Sequence, residues 1–274
     1  MTDVIRIAAV SCPAPFGDVD GNFSLMEGLL QGPGTAGADI VCFPECSLTG
    51  YCLSKDALDL AEEVPGPLTE RLIQTSSTRG CAVIAGFIER SGGEFFITQV
   101  AAGPGGLIGL YRKMHLSPGE QRLFAAGSET PVFRWKGFSF GIGLCYDAHF
   151  PELATLYALA GADIIFYPHA SPPPETPAEK LARWLRYLPA RAYDNGLYVA
   201  ACNQCGDNGR AMVFQGASLV LDPKGEILDS SHGDGAAIAA ADVRRDVIGR
   251  VRSSSMGYFL KERRPGAYGG LAGN

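Results

Sequence analysis

The chain has 274 residues, 46% of them hydrophobic, with a net charge of −6, so it can bury a substantial core, and a single domain spanning 1–274 is expected. That charge balance argues against nonspecific nucleic-acid binding, which needs a surplus of Lys and Arg on one face, and no apolar run approaches membrane-spanning length. The 35 Gly and 18 Pro are scattered along the chain, reading as turns between many short elements and marking no linker.

From the N-terminus, Asp3 and Arg6 interrupt a short apolar run, which suits a first core strand rather than a secretory signal and sets the expectation of a cytoplasmic protein. Runs rich in Val, Ile, Phe and Tyr predict strands at Ile5–Val10, Asp39–Phe43, Cys81–Ile88, Phe138–Leu144, Asp163–Tyr167 and Leu197–Ala201. Helices are predicted over Gly21–Leu30, Leu68–Ser77, Pro151–Ala160 and Pro177–Tyr193. The last starts with Thr176 as N-cap, Pro177 at the first helical position and Glu179 completing a capping box, and Pro189 should kink or split it. Strands alternating with helices imply an α/β fold.

One stretch recurs. Ala38-Asp39-Ile40-Val41-Cys42-Phe43-Pro44 is matched by Ala162-Asp163-Ile164-Ile165-Phe166-Tyr167-Pro168, which suggests two similarly built halves. Just past the prolines stand Glu45 and His169, at strand ends of the kind that carry ligand sites in α/β sheets. Near the C-terminus, Arg244, Arg245, Arg250 and Arg252 are interleaved with Asp242 and Asp246 and read as a solvated, salt-bridged surface.

Eight cysteines in a large chain are expected to be reduced thiols. Cys202 and Cys205 form a CxxC pair without a second such pair or zinc-spaced histidines, so no metal and no cofactor is expected; a thiol-redox or metal-binding protein built on this pair is the competing class. Cys145 differs in setting, because an apolar strand ends there and a helix begins within a few residues. Backbone N–H groups at that turn would lower its pKa and hold an oxyanion. A thiolate attacking a carbonyl also needs a base and an electrophilic stabiliser. Glu45 in FPECSLTGY and Lys113 in LIGLYRKMHL each follow an apolar run, where a charge is costly unless paired.

FPECSLTGY, YRKMHL and GLCYDAHFPE, in this order and spacing, resemble the nitrilase superfamily, the carbon-nitrogen hydrolases. The likeness extends to RIAAV at 6–10, RAYDNGLYVAACN at 191–203, GASLVLDPKGEIL at 216–228 and YFLKERRPGAY at 258–268. It implies a four-layer α-β-β-α sandwich and a catalytic triad of Glu45, Lys113 and Cys145. It also implies a supporting second glutamate at Glu120, with Phe124 and Gly127 at matching offsets, and the backbone N–H of Tyr146 in the oxyanion site. Association as a homodimer or larger homo-oligomer is implied too, with the tail at about 255–274 a candidate for packing on a partner subunit.

Tyr146-Asp147 after the nucleophile looks like the amidase and carbamoylase branches, where true nitrilases usually carry Trp-Glu. A small-molecule amide or carbamoyl substrate is therefore expected over a nitrile, cleaved through a cysteine thioester with release of ammonia or an amine. Related carbamoylases place an arginine shortly after the cysteine to hold a substrate carboxylate; Ala148 and His149 stand here instead. Tyr51, His149, His169 and Ala170 are the candidate pocket residues, with the proline-rich loop at 172–174 near the pocket mouth.

Overall fold

The computed structural model describes residues 2–272; Met1, Gly273 and Asn274, the extremes of the expected span, lie outside it. The strands are β1 Val4–Ser11, β2 Ile40–Cys42, β3 Ala82–Ser91, β4 Glu94–Gly103, β5 Gly106–Arg112, β6 Phe133–Trp135, β7 Phe138–Ile142, β8 Ile164–His169, β9 Tyr198–Asn203, β10 Gly206–Asp207, β11 Val213–Phe214, β12 Gly216–Leu221, β13 Ile227–Gly233 and β14 Ala237–Arg244. The α-helices are α1 Val19–Gln31, α2 Asp56–Asp59, α3 Pro67–Arg79, α4 Pro151–Leu159, α5 Pro177–Trp184, α6 Leu188–Asn195 and α7 Arg245–Ser253.

Two six-stranded sheets carry the fold, ordered β14-β1-β2-β3-β4-β5 and β13-β12-β9-β8-β7-β6. In β1, Ile5, Ile7 and Ala9 face one apolar cluster while Ala8 and Val10 face another. In β8, Ile164 and Phe166 join the cluster of Ile5 and Ile7, and Ile165 and Tyr167 pack with Leu153, Trp184 and Leu188 from the helices. Side chains alternate across a strand, so both sheet faces are buried, which explains why these strands read as continuous apolar runs. The result is the α-β-β-α sandwich.

The repeated stretch does fill equivalent places. β2 lies parallel between β1 and β3, and β8 lies parallel between β7 and β9. Asp39 accepts the backbone N–H of Arg6 at 2.8 Å, and Asp163 accepts that of Ser139 at 3.1 Å. Register pairs Ile40 with Ile7 and Ile164 with Phe140, so Glu45 and His169 are structural counterparts, and so are Cys12 and Cys145. One half thus places Glu45, and the other Cys145, at these equivalent strand ends.

The helix expected over Pro177–Tyr193 is interrupted, as its internal proline led one to expect, while several strands differ from expectation. The long helix splits into α5 and α6, because Pro189 at the second position of α6 has no N–H to continue the earlier turn; its Thr176–Glu179 capping box forms as expected, with Glu179 N–H to Thr176 Oγ1 at 3.2 Å and Thr176 N–H to Glu179 Oε2 at 2.8 Å. Strands β4, β5, β6 and β10–β14 were not predicted from the sequence. Gly92 and Gly93, both at positive φ, make the tight β3–β4 turn, and β13 is an edge strand carrying polar Asp229, Ser230, Ser231 and His232. Arg252 is structural, reaching Asp163, Ala162 O and Gly196 O, whereas Arg244 and Arg250 pair with Asp246 at the surface. In the tail, Leu260 packs on its own chain while Met256, Phe259 and Tyr268 stay exposed. No helix among the described residues is long and apolar enough to cross a membrane.

Candidate active site

Glu45 follows β2 and is fully buried. Its Oε1 accepts from Lys113 Nζ at 2.8 Å, its Oε2 from the backbone N–H of Ala170 at 2.9 Å, and its carbonyl from Gln204 Nε2 at 2.8 Å. The second half of the fold thus fixes the acid supplied by the first. Lys113 leaves β5 pointing opposite to Arg112, which turns away to form a bidentate pair with Glu89. The Lys113 backbone is pinned by N–H donation to Ile97 O at 2.9 Å and by the Gly127 N–H to its own carbonyl at 2.8 Å. A Cβ at Gly127 would fall 2.4 Å from Arg112 O, so only glycine fits that approach.

Glu120 completes a triangle. Its Oε1 accepts from Lys113 Nζ at 2.7 Å and from the Tyr51 hydroxyl at 2.8 Å, and its Oε2 accepts the Ser117 N–H at 2.7 Å. Both oxygens are held by protein donors, which suits an orienting role for Glu120. Tyr51, expected as a pocket residue, spends its hydroxyl on Glu120.

Cys145 opens a five-residue 3₁₀ turn, Cys145–His149, after β7. Its φ is 47°, left-handed backbone that costs a non-glycine residue about 1–2 kcal/mol. Seven of the eight cysteines are buried and Cys145 alone is partly exposed. It lies close enough to Glu45, Lys113 and Glu120 for all three to shift its ionisation. Burial pushes the thiol up to about 12, helped by Glu45 and opposed by Lys113. The expectation of a thiol acidified by a helix start is therefore corrected: one 3₁₀ turn does not offset the desolvation, and the resting sulfur carries its proton.

Burial likewise raises Glu45 to about 7, against the pull of Lys113 and the Ala170 N–H and with the push of Glu120. For Lys113, burial disfavours the charge, but Glu45, the Cys145 thiolate and Glu120 more than reverse this, leaving it well above the usual range. A carboxyl that titrates near neutrality thus sits beside an ammonium whose charge is favoured and a thiol whose ionisation is disfavoured.

Of the other candidates, Ala170 contributes its N–H to Glu45, and Tyr146 is the first residue past Cys145, with its ring edge-on to His149 and Phe150. His169 is buried, donates Nδ1–H to Tyr167 O at 2.8 Å and packs on Trp184. His149 is at the surface against Tyr187. Cys202 and Cys205 are buried strand-end thiols; burial pushes Cys202 well up and Cys205 to about 11, which opposes thiolate chemistry at this pair.

Asp147 is more than a branch marker. It is fully buried and accepts from the Leu144 N–H, the Tyr111 hydroxyl, the His115 N–H and His115 Nδ1, all at 2.7–2.8 Å. These bonds tie the cysteine turn to both sides of Lys113. Asp147→Ala would orphan those donors and is expected to cost about 3 kcal/mol in a urea melt and to lower kcat/KM by about a hundredfold. Gln204 and Lys180 also flank the site with no local sequence signal, since each comes from an element remote in the chain.

The chain belongs to the carbon-nitrogen hydrolase family, whose model matches residues 6–253. It is thus a carbon-nitrogen hydrolase. It is 29% identical to a nitrilase of Pyrococcus abyssi over 97% of this chain and 99% of that protein. It is 33% identical to an omega-amidase of Xenopus tropicalis over 82% of this chain and 83% of the relative. Among solved structures, the amidase of Nesterenkonia sp. AN1, as an active-site variant bound to butyramide, superposes with a TM-score of 0.81 at 27% identity, covering 97% of this chain and 96% of that one. Another variant of that amidase, with a TM-score of 0.81 at 26% identity over 97% of both chains, carries the acetamide moiety of fluoroacetamide on its active-site cysteine.

Proposed function

We propose that the protein hydrolyses the amide bond of a small molecule through a thioester on Cys145. The observation that carries this reading is the buried Lys113 ammonium bridging two carboxylates beside Cys145, a residue that is not fully buried. Glu45 takes the thiol proton as sulfur attacks the amide carbon, so the high thiol pKa is overcome within one step. Lys113 and the Tyr146 N–H hold the oxyanion. Protonated Glu45 gives its proton to the departing nitrogen, the C–N bond breaks, and the acyl group remains on sulfur. Glu45 then deprotonates a water that attacks the thioester; the C–S bond breaks and the sulfur regains its proton.

Mass spectrometry of the protein incubated with small amides, carbamoyl amines and nitriles tests the reading. An acyl mass on Cys145 with amides supports it. Adducts from nitriles alone would favour the nitrilase alternative, and no adduct from any compound would remove the hydrolase chemistry.

The acid Glu45 also fixes a pH response. Activity needs its carboxylate, so kcat/KM should rise with pH through a midpoint near 7. Stability moves the other way: with the folded value raised above the unfolded one near 4.5, folding favours the protonated form, and that contribution is lost as pH climbs through about 7. Wild type should therefore lose thermal stability relative to Glu45→Gln between pH 4.5 and 7, as read by melting temperature.

A further inference from the structure

Strands β10 and β11 form a two-stranded hairpin that belongs to neither large sheet, so sheet pairing does not explain where it sits. Its contacts lie on the loop that runs from Glu45 to Tyr51. The segment leading into the hairpin holds that loop at both ends: Gln204 Nε2 donates to the Glu45 carbonyl at 2.8 Å, and Asn208 Nδ2 donates to the Tyr51 carbonyl at 2.7 Å, from 157 positions away in the chain.

Asn208 is buried and engages all four of its polar atoms. Besides the bond to Tyr51, its Oδ1 accepts the Arg210 N–H at 3.0 Å, a local turn that fixes the side chain. Its own N–H donates to Met212 O at 3.1 Å, and its carbonyl accepts the Phe16 N–H at 2.9 Å. The hairpin tip is tied down separately, with Arg210 paired to Asp56 at 2.7 Å and lying 4.8 Å over the Phe16 ring. Three loops thus converge beside Tyr51, so closely that a Cβ on Gly50 would fall 2.5 Å from Phe16 Cα.

Tyr51 itself lies outside any helix or strand, next to Gly50 at φ 75°, so no ladder of backbone bonds holds it. The hairpin holds it instead: Asn208 takes the main chain, and Phe214 packs edge-on to the ring at 6.4 Å. At the far end of that ring, the hydroxyl donates to Glu120 Oε1 at 2.8 Å, the same oxygen that accepts from Lys113 Nζ at 2.7 Å. A shift of the Tyr51 backbone is passed by a rigid ring to Glu120, and by one shared oxygen to the ammonium.

We propose that Asn208 is a positioning residue for the reaction, setting through Tyr51 and Glu120 where the Lys113 ammonium stands. This rests on the Cys145 hydrolase reading, in which that ammonium holds the oxyanion.

The test is a double-mutant cycle on kcat, using whichever of acetamide, butyramide and succinamate the wild type turns over fastest, with melting temperatures measured alongside. Asn208→Ala should lower kcat about tenfold with KM within about twofold, because the displaced group serves the transition state. Tyr51→Phe deletes only the hydroxyl and should cost a similar factor. In the Tyr51→Phe background the link to Glu120 is already cut, so Asn208→Ala should then lower kcat by less than about twofold, while its loss of melting temperature stays the same in both backgrounds. Should Asn208→Ala not fold, Asn208→Asp gives the same cycle, since it keeps the shape and the acceptor for Arg210 and turns an oxygen toward the Tyr51 carbonyl. Equal losses of kcat in both backgrounds would make Asn208 a brace for the fold and overturn the proposal, as would an unchanged kcat in Asn208→Ala or in Tyr51→Phe. An acyl-Cys145 adduct with an additive cycle removes the positioning role alone, whereas neither turnover nor adduct from any of the three amides removes the hydrolase reading itself.

Discussion

Replacing Cys145 with alanine is expected to lower kcat by at least about 10⁴-fold while substrate binding survives, because the step lost is formation of the bond to carbon. Binding is read by calorimetry with an amide that the variant cannot turn over. Turnover within tenfold of wild type would assign the chemistry to another group. A second measurement separates strain from chemistry. At φ 47° alanine keeps the backbone penalty, whereas Cys145→Gly relieves it, so the glycine variant should be about 1 kcal/mol more stable than the alanine variant in denaturant melts. That order would show that the turn is held in an unfavourable conformation by the bonds around Asp147, to the benefit of the sulfur's position.

The second large effect belongs to Lys113. Lys113→Met removes the cation between Glu45 and Glu120, whose contacts with its Nζ are 2.8 and 2.7 Å. Two neighbouring buried carboxylates cannot both stay charged, and one must take up a proton. The expected loss is about 3–5 kcal/mol of stability, measured by urea unfolding at neutral pH, together with at least about 10³-fold in kcat/KM. The stability loss should shrink at acidic pH, where both carboxyls are protonated without the lysine's departure. Wild-type stability in Lys113→Met, with activity lost, would mean that the lysine serves the oxyanion only and that the triangle contributes nothing to folding.

The legible parts of this molecule were those with local causes. Apolar runs at Ile5–Val10 and Asp163–Tyr167 declared buried strands, since both faces of each sheet are covered. The Thr176–Glu179 box and Pro189 set where α5 starts and why α6 is separate. The repeated stretch ending in Pro44 and Pro168 pointed to equivalent strands in two sheets. The antiparallel strands were less legible: β13 is polar along an edge, and the short β6, β10 and β11 have too few residues for a period to show.

By itself, the sequence determined the two-halved α/β architecture and, through motif order, the set of Glu45, Lys113, Glu120 and Cys145. What depended on the tertiary structure was how those groups behave. Burial, which no short motif encodes, raises the Cys145 thiol to about 12 and Glu45 to about 7. The anchors are equally nonlocal: Ala170 and Gln204 reach Glu45 across more than 120 residues, and α5 brings Lys180 to the same region. Ionisation and donor balance depend on everything packed within a few ångströms, so they exist only once the two sheets have closed on each other.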